Sequence, residues 1–477
     1  MTRRTKIVAT IGPATSEPAA IERLLRAGVD VVRLNLSHGN PEDHLRRLGE
    51  LRELAQRLGR PVGVLADLPG PKVRAGPFPP DGAELLPGEP CRLIAGDGPS
   101  SAAVIAVDYP SLLHDVDPGT RVVIGDGAIS LRVTGVTEDH VDAVVESGGR
   151  TQGRPGVHLA CERFQMFAPT AHDLELARRF ADAGVDFLAL SFVRRPDDIA
   201  ALRAVVGHEV QIVAKIETST ALERLDEIVA RADAVMVARG DLGIDCPMED
   251  VPHLQKRIIR HCVEVGCPVI TATQMLESMI DASLPTRAEV SDVANAVFDG
   301  TDAVMLSAET AVGRDPAGVV ATMSRIAERA ETEASYRQWA ERLGRAQRTR
   351  DLEIVDRITD AITHAAWQAA RDAGASAILC CTRSGRTARA MARFRPAARL
   401  IGVSPDPRTV AMLTLSWGVE SLPVEEYATL DETVWFAVEG AVDHGMVDHG
   451  DIVAVLAGAP EHGSGAATDV LRIVRVA

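Results

Sequence analysis

The sequence predicts an α/β protein: a (β/α)8 TIM barrel with an inserted small β-barrel-like domain and a C-terminal α/β domain. Three observations lead there. Eight short apolar runs recur between amphipathic stretches, one interval between runs is far too long for a loop, and the last third begins a new strand-and-helix alternation. The expected divisions are 1–70 for the first part of the barrel, 71–168 for the insertion, 169–340 for the rest of the barrel and 341–477 for the C-terminal domain.

The eight runs are Lys6–Ile11, Val29–Leu34, Val62–Ala66, Val185–Leu190, Gln211–Ile216, Ala234–Ala238, Pro268–Ala272 and Ala303–Leu306. Their length and Val/Ile content suit parallel strands buried on both faces. Helical stretches such as Ala19–Ala27 and Asp173–Ala183 lie between them, and Gly28, Gly184 and Gly266 stand where a helix ends before the next strand. Glycine there accepts the left-handed backbone of a C-terminal cap. The long interval runs from Leu68 to Val185 and opens on Pro69, Pro71, Pro77, Pro79 and Pro80. A loop of that length is not expected inside a compact domain. Arg92–Ala95, Arg121–Ile124, Ser130–Val136 and Val141–Val145 read as strands within it, so the insertion is a β domain, expected to be a mobile cap. Arg337–Asp351 reads as a charged linker or exposed helix, and Ala377–Cys381, Leu400–Val403 and Ile452–Leu456 as the strands of the last domain.

Composition narrows the function. The chain has 477 residues, 46% hydrophobic and 25% charged, with 51 Lys plus Arg against 67 Asp plus Glu and a net charge of −16. That balance argues against nucleic acid or an anionic membrane as partner, while leaving room for a local basic cluster that takes an anionic substrate. Seven scattered cysteines without a CxxC pair suggest reduced thiols. Gly12-Pro13 interrupts the apolar start, and no apolar run is long enough to span a membrane, so a cytoplasmic protein is expected.

Active sites of such barrels lie at the C-terminal ends of the strands. Arg33, Asn35, Ser37 and His38 follow the second run, and Asp67 and Arg74 the third; Lys215 and Glu217 end the fifth. Arg239-Gly240-Asp241 ends the sixth, Thr273 the seventh, and Ser307 and Glu309 the eighth. Lys215 and Glu217 are two apart and share a strand face. Alone they read better as an ion pair, but Asp241, following from the adjacent strand, adds a second carboxylate and shifts the balance. Two carboxylates with open positions suit Mg²⁺ or Mn²⁺. Gly240 lets backbone N–H groups approach an anion, and Lys215 is placed to stabilise charge developing on it. Thr273 and Ser307 either contact that ligand or cap the helices that follow.

The blocks KIVATIGPAT, VVRLNLSHG, AKIET, VMVARGDLGID, PVITATQMLESM and AEVSDVANAVFDGTDAVMLSAET resemble, in order, the pyruvate kinase family. The resemblance is clear over the barrel, weaker over the insertion and moderate in the C-terminal domain. It implies phosphoryl transfer from phosphoenolpyruvate to ADP, giving pyruvate and ATP in glycolysis, by a homotetramer. It implies Mg²⁺ on Glu217 and Asp241, with substrate contacts from Arg33, Lys215, Gly240, Asp241, Thr273 and Ser307. It further implies catalytic roles for Lys215, Arg33 and Thr273, with Asn35, Ser37, His38 and Arg74 on the nucleotide and its phosphates. Rival readings are a metabolite sensor that has lost turnover and another Mg²⁺-dependent phosphoenolpyruvate enzyme. Intact Lys215, Glu217, Asp241 and Thr273 oppose the first; the block from Arg33 to His38 opposes the second.

Two features depart from or extend the pattern. Many members carry glutamate where this chain has Lys72, and those with lysine resemble the potassium-independent group. A fixed ammonium can supply the charge of K⁺, so K⁺ is expected not to be required, although Asn35, Ser37, Asp67 and Leu68 retain a monovalent-cation site. In the insertion, Arg154 is displaced by Pro155 from the family's nucleotide-contacting basic position. In the last domain, Thr382, Ser384, Gly385, Arg386 and Thr387 lie between a strand and a helix and resemble the family's effector-phosphate loop. The loop from Gly458 to Gly465 carries Glu461 and His462 where a bisphosphate would need an arginine, so a monophosphate (a sugar phosphate or AMP) is the expected effector.

Overall fold

The computed structural model describes residues 3–125, 127, 129–159, 167–334, 336, 339–341, 343, 353–426, 428–458 and 467–477. Most of the expected linker, Cys161, and Glu461 and His462 of the late loop lie outside the described residues.

Eight strands, Lys6–Ile11, Val31–Asn35, Gly63–Asp67, Phe187–Leu190, Gln211–Ile216, Ala234–Ala238, Val269–Ala272 and Ala303–Leu306, close into a parallel barrel in sequence order. The last strand pairs with the first, Lys6 opposite Ala303. Alternation explains why these runs are apolar throughout. Val8, Val31, Leu65, Phe187, Val213, Met236, Ile270 and Met305 fill the barrel interior. Their neighbours Ile7, Val32, Val64, Leu188, Ile212, Val235, Val269 and Val304 pack outward under the helices. Gly28 and Gly266 end their helices in the left-handed region, at φ 113° and 78°, as expected.

The insertion has its own core, including Val73, Phe78, Leu93, Ile105, Leu112 and Leu131. It forms a six-stranded sheet and a two-stranded ribbon, Phe78–Leu85 paired with Gly149–Gly153. The ribbon is not evident in the sequence because Pro79, Pro80 and Gly82 occupy its first strand. Proline is tolerated there because a ribbon strand has an unpaired side that needs no N–H donor. The strands Val104–Val107 and Val157–Leu159 are also additions to the sequence reading, too short to carry a periodic signal.

The C-terminal domain holds a five-stranded sheet in the order Val419–Pro423, Arg399–Ser404, Ala377–Cys381, Ile452–Ala457 and Val470–Arg475, only the last strand antiparallel. This domain closes the N-terminal end of the barrel. Leu415 enters the barrel-interior cluster and Met412 packs against it. Around this plug, Arg395 pairs with Asp302 at 3.0 Å and donates to Gly300 O at 2.6 Å, while Lys6 Nζ donates to Val419 O at 2.7 Å. Asp302 also accepts from the Val269 and Trp417 backbone N–H groups at 3.0 and 3.2 Å, so one carboxylate joins two strands and the domain seam. No helix among the described residues is long and apolar enough to cross a membrane.

Leu415→Ala leaves a cavity at the foot of the barrel and is expected to destabilise the protein by about 2–5 kcal/mol in urea unfolding. A loss below about 1 kcal/mol would show that the seam contributes little to the barrel core.

Candidate active site

The strand ends converge on a charged cluster at the C-terminal rim, opposite the plug. Asn35 pairs in register with Asp67, and Asp67 in turn with Ala189, which brings the second, third and fourth strands level at the rim. Arg33 grips Asp67 with two nitrogens, Nε and Nη2, each 2.7 Å from Oδ2, and its Nη1 donates to Thr10 Oγ1 at 3.1 Å. Lys215 Nζ lies 3.3 Å from Asp67 Oδ1 and 3.1 Å from Glu217 Oε1, and donates to Ser191 Oγ at 2.6 Å. Ser191 Oγ donates to Leu68 O at 2.8 Å, linking Lys215 to the next loop.

Burial would lower the Lys215 pKa, but Asp67 and Glu217 outweigh it and hold the ammonium above the ordinary lysine value. Burial likewise works to raise Asp67, yet Lys215 and Arg33 keep its carboxyl below the usual range. Glu217 goes the other way. Burial raises its pKa, Asp241 adds to the effect, and Lys215 and the Phe192 N–H, 2.5 Å from Oε2, only partly offset it. Glu217 is buried and Asp241 half-buried; two carboxylates that repel one another suit a shared dication, and oxygen ligands with free positions fit Mg²⁺ or Mn²⁺.

Thr273 is the most unusual residue of the rim. It stands at φ 66°, followed by Gln274 at φ 52°. A β-branched residue in the left-handed region costs on the order of 1–3 kcal/mol and persists only where its surroundings over-determine it. Its hydroxyl accepts from Gly240 N–H at 2.9 Å and donates to Ala272 O at 2.7 Å. The capping alternative fails here, because the following short helix, Glu277–Ile280, has Leu276 at its N-cap. Ser307 occupies the N-cap position of Ala308–Ala311 but its side chain makes no cap bond. Its N–H instead donates to Glu309 Oε2 at 2.6 Å, while Glu309 Oε1 accepts from Leu276 N at 3.2 Å.

A basic arc faces this cluster. Lys72 Nζ donates to Ser37 Oγ at 3.2 Å, and Ser37 N–H to Asn35 Oδ1 at 3.2 Å. Partial burial and then the charge of Lys215 lower the Lys72 pKa, with Asp241 opposing. His38 is lowered by desolvation and then by Lys72, Arg74 and Arg33, so the arc is crowded with positive charge. Arg74 Nη1 donates to Arg154 O at 3.3 Å, which sets both arginines at the entry to the insertion. Ser191, Phe192 and Thr10 are absent from the sequence reading. The rim rule would find Thr10 and Ser191 if applied to the ends of the first and fourth strands as well as the other six.

The loop from Thr382 to Thr387 lies in the other domain. Thr382 N–H donates to Val403 O at 2.9 Å, Gly385 sits at φ 76°, and Arg386 is 3.6 Å from Asp356. Thr387 is buried and its hydroxyl shares a 2.6 Å bond with Thr468, so it does not face the open side of the loop. Arg389, on the helix Arg386–Ala392 that follows the loop, reaches Gln211 Oε1 at 2.9 Å, at the start of the strand whose end carries Lys215.

The family described as pyruvate kinase, barrel domain, matches residues 2–320, and that described as pyruvate kinase, alpha/beta domain, matches residues 360–474. Among its relatives, the chain is 42% identical over 474 residues to a pyruvate kinase of Methylorubrum extorquens, covering 99% of this chain and 98% of that one. It is 40% identical over 479 residues to one from Geobacillus stearothermophilus, covering 99% and 80%. It is 36% identical over 477 residues to one from Clostridium acetobutylicum, covering 99% of each.

Asp67→Ala removes the anion that Arg33 and Lys215 share. Breaking a buried ion pair from one side costs about 3–5 kcal/mol, so the urea midpoint should fall accordingly. An unchanged midpoint would mean that the two cations find other partners.

Proposed function

The chain belongs to the pyruvate kinase family, and from that premise we propose how its rim residues divide the work of moving a phosphoryl group from phosphoenolpyruvate to ADP. The protein is a phosphotransferase of glycolysis, and its products are pyruvate and ATP. The observation that carries the reading is Lys215 Nζ, held 3.3 Å from Asp67 and 3.1 Å from Glu217 at the barrel rim.

Glu217 and Asp241 are the residues that would hold the divalent metal, Mg²⁺ or Mn²⁺. When bound, it supplies Lewis-acid stabilisation to substrate oxygens. The residues do the rest. Arg33 and Lys215 bind the phosphoryl oxygens, with the Gly240 and Asp241 backbone and Ser307 placing the carboxylate end of the substrate. Asn35, Ser37, His38 and Arg74 form the arc that receives the ADP phosphates. As the bond from phosphorus to the enol oxygen breaks and the bond to the ADP oxygen forms, the Lys215 ammonium faces the charge spread over the phosphoryl group and the enolate. Asp67 and Glu217 hold its pKa above the ordinary lysine value, so it enters the reaction charged. The enolate then takes a proton at carbon, a step we assign to Thr273 with a bound water. Positioning and fixed charge supply most of the rate in reactions of this type.

K⁺ is dispensable in this reading. The Lys72 ammonium already touches Ser37, and both oxygens of Asp67 are engaged by Arg33 and Lys215. A cytoplasmic homotetramer is the proposed form. In support, five of the six described free cysteines are buried, and exposed apolar side chains such as Met248, Leu284, Phe298 and Trp435 offer surface for subunit contact. A phosphorylated effector, a monophosphate, would meet Thr382, Ser384, Gly385 and Arg386. The divisions at 70/71, 168/169 and 340/341 stand as proposed domain limits.

Pyruvate formation from phosphoenolpyruvate and ADP should require Mg²⁺ or Mn²⁺, and its absence in that assay would refute the reading. Lys215→Met should keep phosphoenolpyruvate binding and lose at least about a hundredfold in kcat. Retained turnover would remove Lys215 from its assigned role. Activity should be the same with and without K⁺, and Lys72→Glu should make it K⁺-dependent. A K⁺ requirement in the unaltered protein would contradict the charge-substitution argument.

A further inference from the structure

We propose that Arg239, anchored by Asp292, is a positioning residue that sets Thr273 for the proton-transfer half of the reaction. The inference rests on the assignment of Thr273 above.

Thr273 and Gln274 stand together in the left-handed region, at φ 66° and 52°, and neither is glycine. Something must fix the two peptide planes that flank the Thr273 Cα. Arg239 does so with one edge of its guanidinium: Nε donates to Ala272 O at 3.1 Å and Nη2 to Thr273 O at 2.6 Å. Those carbonyls belong to the peptide before and the peptide after Thr273. A rigid planar fork bound to both sets φ and ψ of the residue between them, which a lysine, with a single rotating ammonium, could not do. The remaining nitrogen anchors the fork, Nη1 lying 2.7 Å from Asp292 Oδ1 and 3.2 Å from Gln255 Oε1. The Arg239 side chain is 10% exposed, so the fork is enclosed against the strand ends.

The consequence is local. With the peptides fixed, the Thr273 hydroxyl meets Gly240 N–H at 2.9 Å, next to Asp241 and on the substrate side of the rim. Released from the fork, Thr273 would relax to an ordinary φ and swing its hydroxyl away. Lys215, Glu217 and Arg33 make no bond to Arg239, so phosphoryl binding should survive. Arg239 thus serves the delivery of the proton to the enolate carbon more than the transfer of phosphorus.

The test is a double-mutant cycle on the full-length enzyme with Arg239→Lys and Thr273→Ala. Two readouts are needed: steady-state kcat and KM for phosphoenolpyruvate, and the exchange of pyruvate methyl protons with deuterated water followed by NMR. Arg239→Lys should lower kcat and exchange by at least about tenfold with KM changed less than about threefold. In the Thr273→Ala background the same substitution should cost almost nothing further, because residues that act as a unit are not additive. A full, additive penalty in that background would overturn the positioning role. Unchanged exchange in Thr273→Ala alone would instead overturn the assignment of Thr273. Should Arg239→Lys fail to fold, Asp292→Asn removes the anchor instead and must give the same non-additive pattern.

Discussion

A lysine ammonium shared by two buried carboxylates is the constraint on which this structure turns. Lys215 lies between Asp67 and Glu217, each side chain nearly out of contact with water. Such a charge cannot be left there unpaired, and its partners cannot be removed one at a time without heavy cost. The three residues come from two strands that are not neighbours, since the strand Phe187–Leu190 separates them in the barrel. Ser191, at the end of that intervening strand, bridges the gap by accepting from Lys215 and donating to Leu68 O. Barrel closure and the chemistry of the rim are therefore one problem, solved by the same side chains.

The arrangement leaves Glu217 poorly satisfied and Asp67 well satisfied. Arg33 and Lys215 both serve Asp67, whereas Glu217 has burial and Asp241 working against its ionised form. That asymmetry separates their roles. Asp67 is a fixed counter-ion that keeps two cations in place, and Glu217 is the carboxylate to which the proposed reading gives the dication. At the opposite end of the barrel, Leu415 fills the interior and Asp302 ties Val269 and Trp417 to Arg395. The strands that carry the rim are thus held at their feet by the C-terminal domain, a physical link between its loops and the catalytic end.

Much of this was legible in the residues. Eight apolar runs with two buried faces pointed to a parallel sheet, with a closed barrel the simplest form, and their polar ends marked the rim. Lys215 and Glu217 could be placed on one face because strand periodicity is two. Other features had no local signature. The Phe78–Leu85 strand hides behind its prolines, whose missing N–H groups matter only if the partner side is known. Asp67 could be read as a cation ligand but not as the shared partner of Arg33 and Lys215, because that depends on strand register. Thr273 looked like an N-cap candidate; its positive φ goes with Arg239, a residue just past the end of another strand that binds the carbonyls on both sides of it. Long-range contacts that set a backbone angle leave no periodicity behind.

The most direct test of this account is a count of bound Mn²⁺ by electron paramagnetic resonance, in the nucleotide-free protein and in Glu217→Gln. One Mn²⁺ should bind each chain, and the substitution should weaken it by at least about tenfold. Equal affinity in the two proteins would mean that the carboxylate facing Lys215 is only its ion-pair partner, and the metal-centred reading of the rim would have to be abandoned.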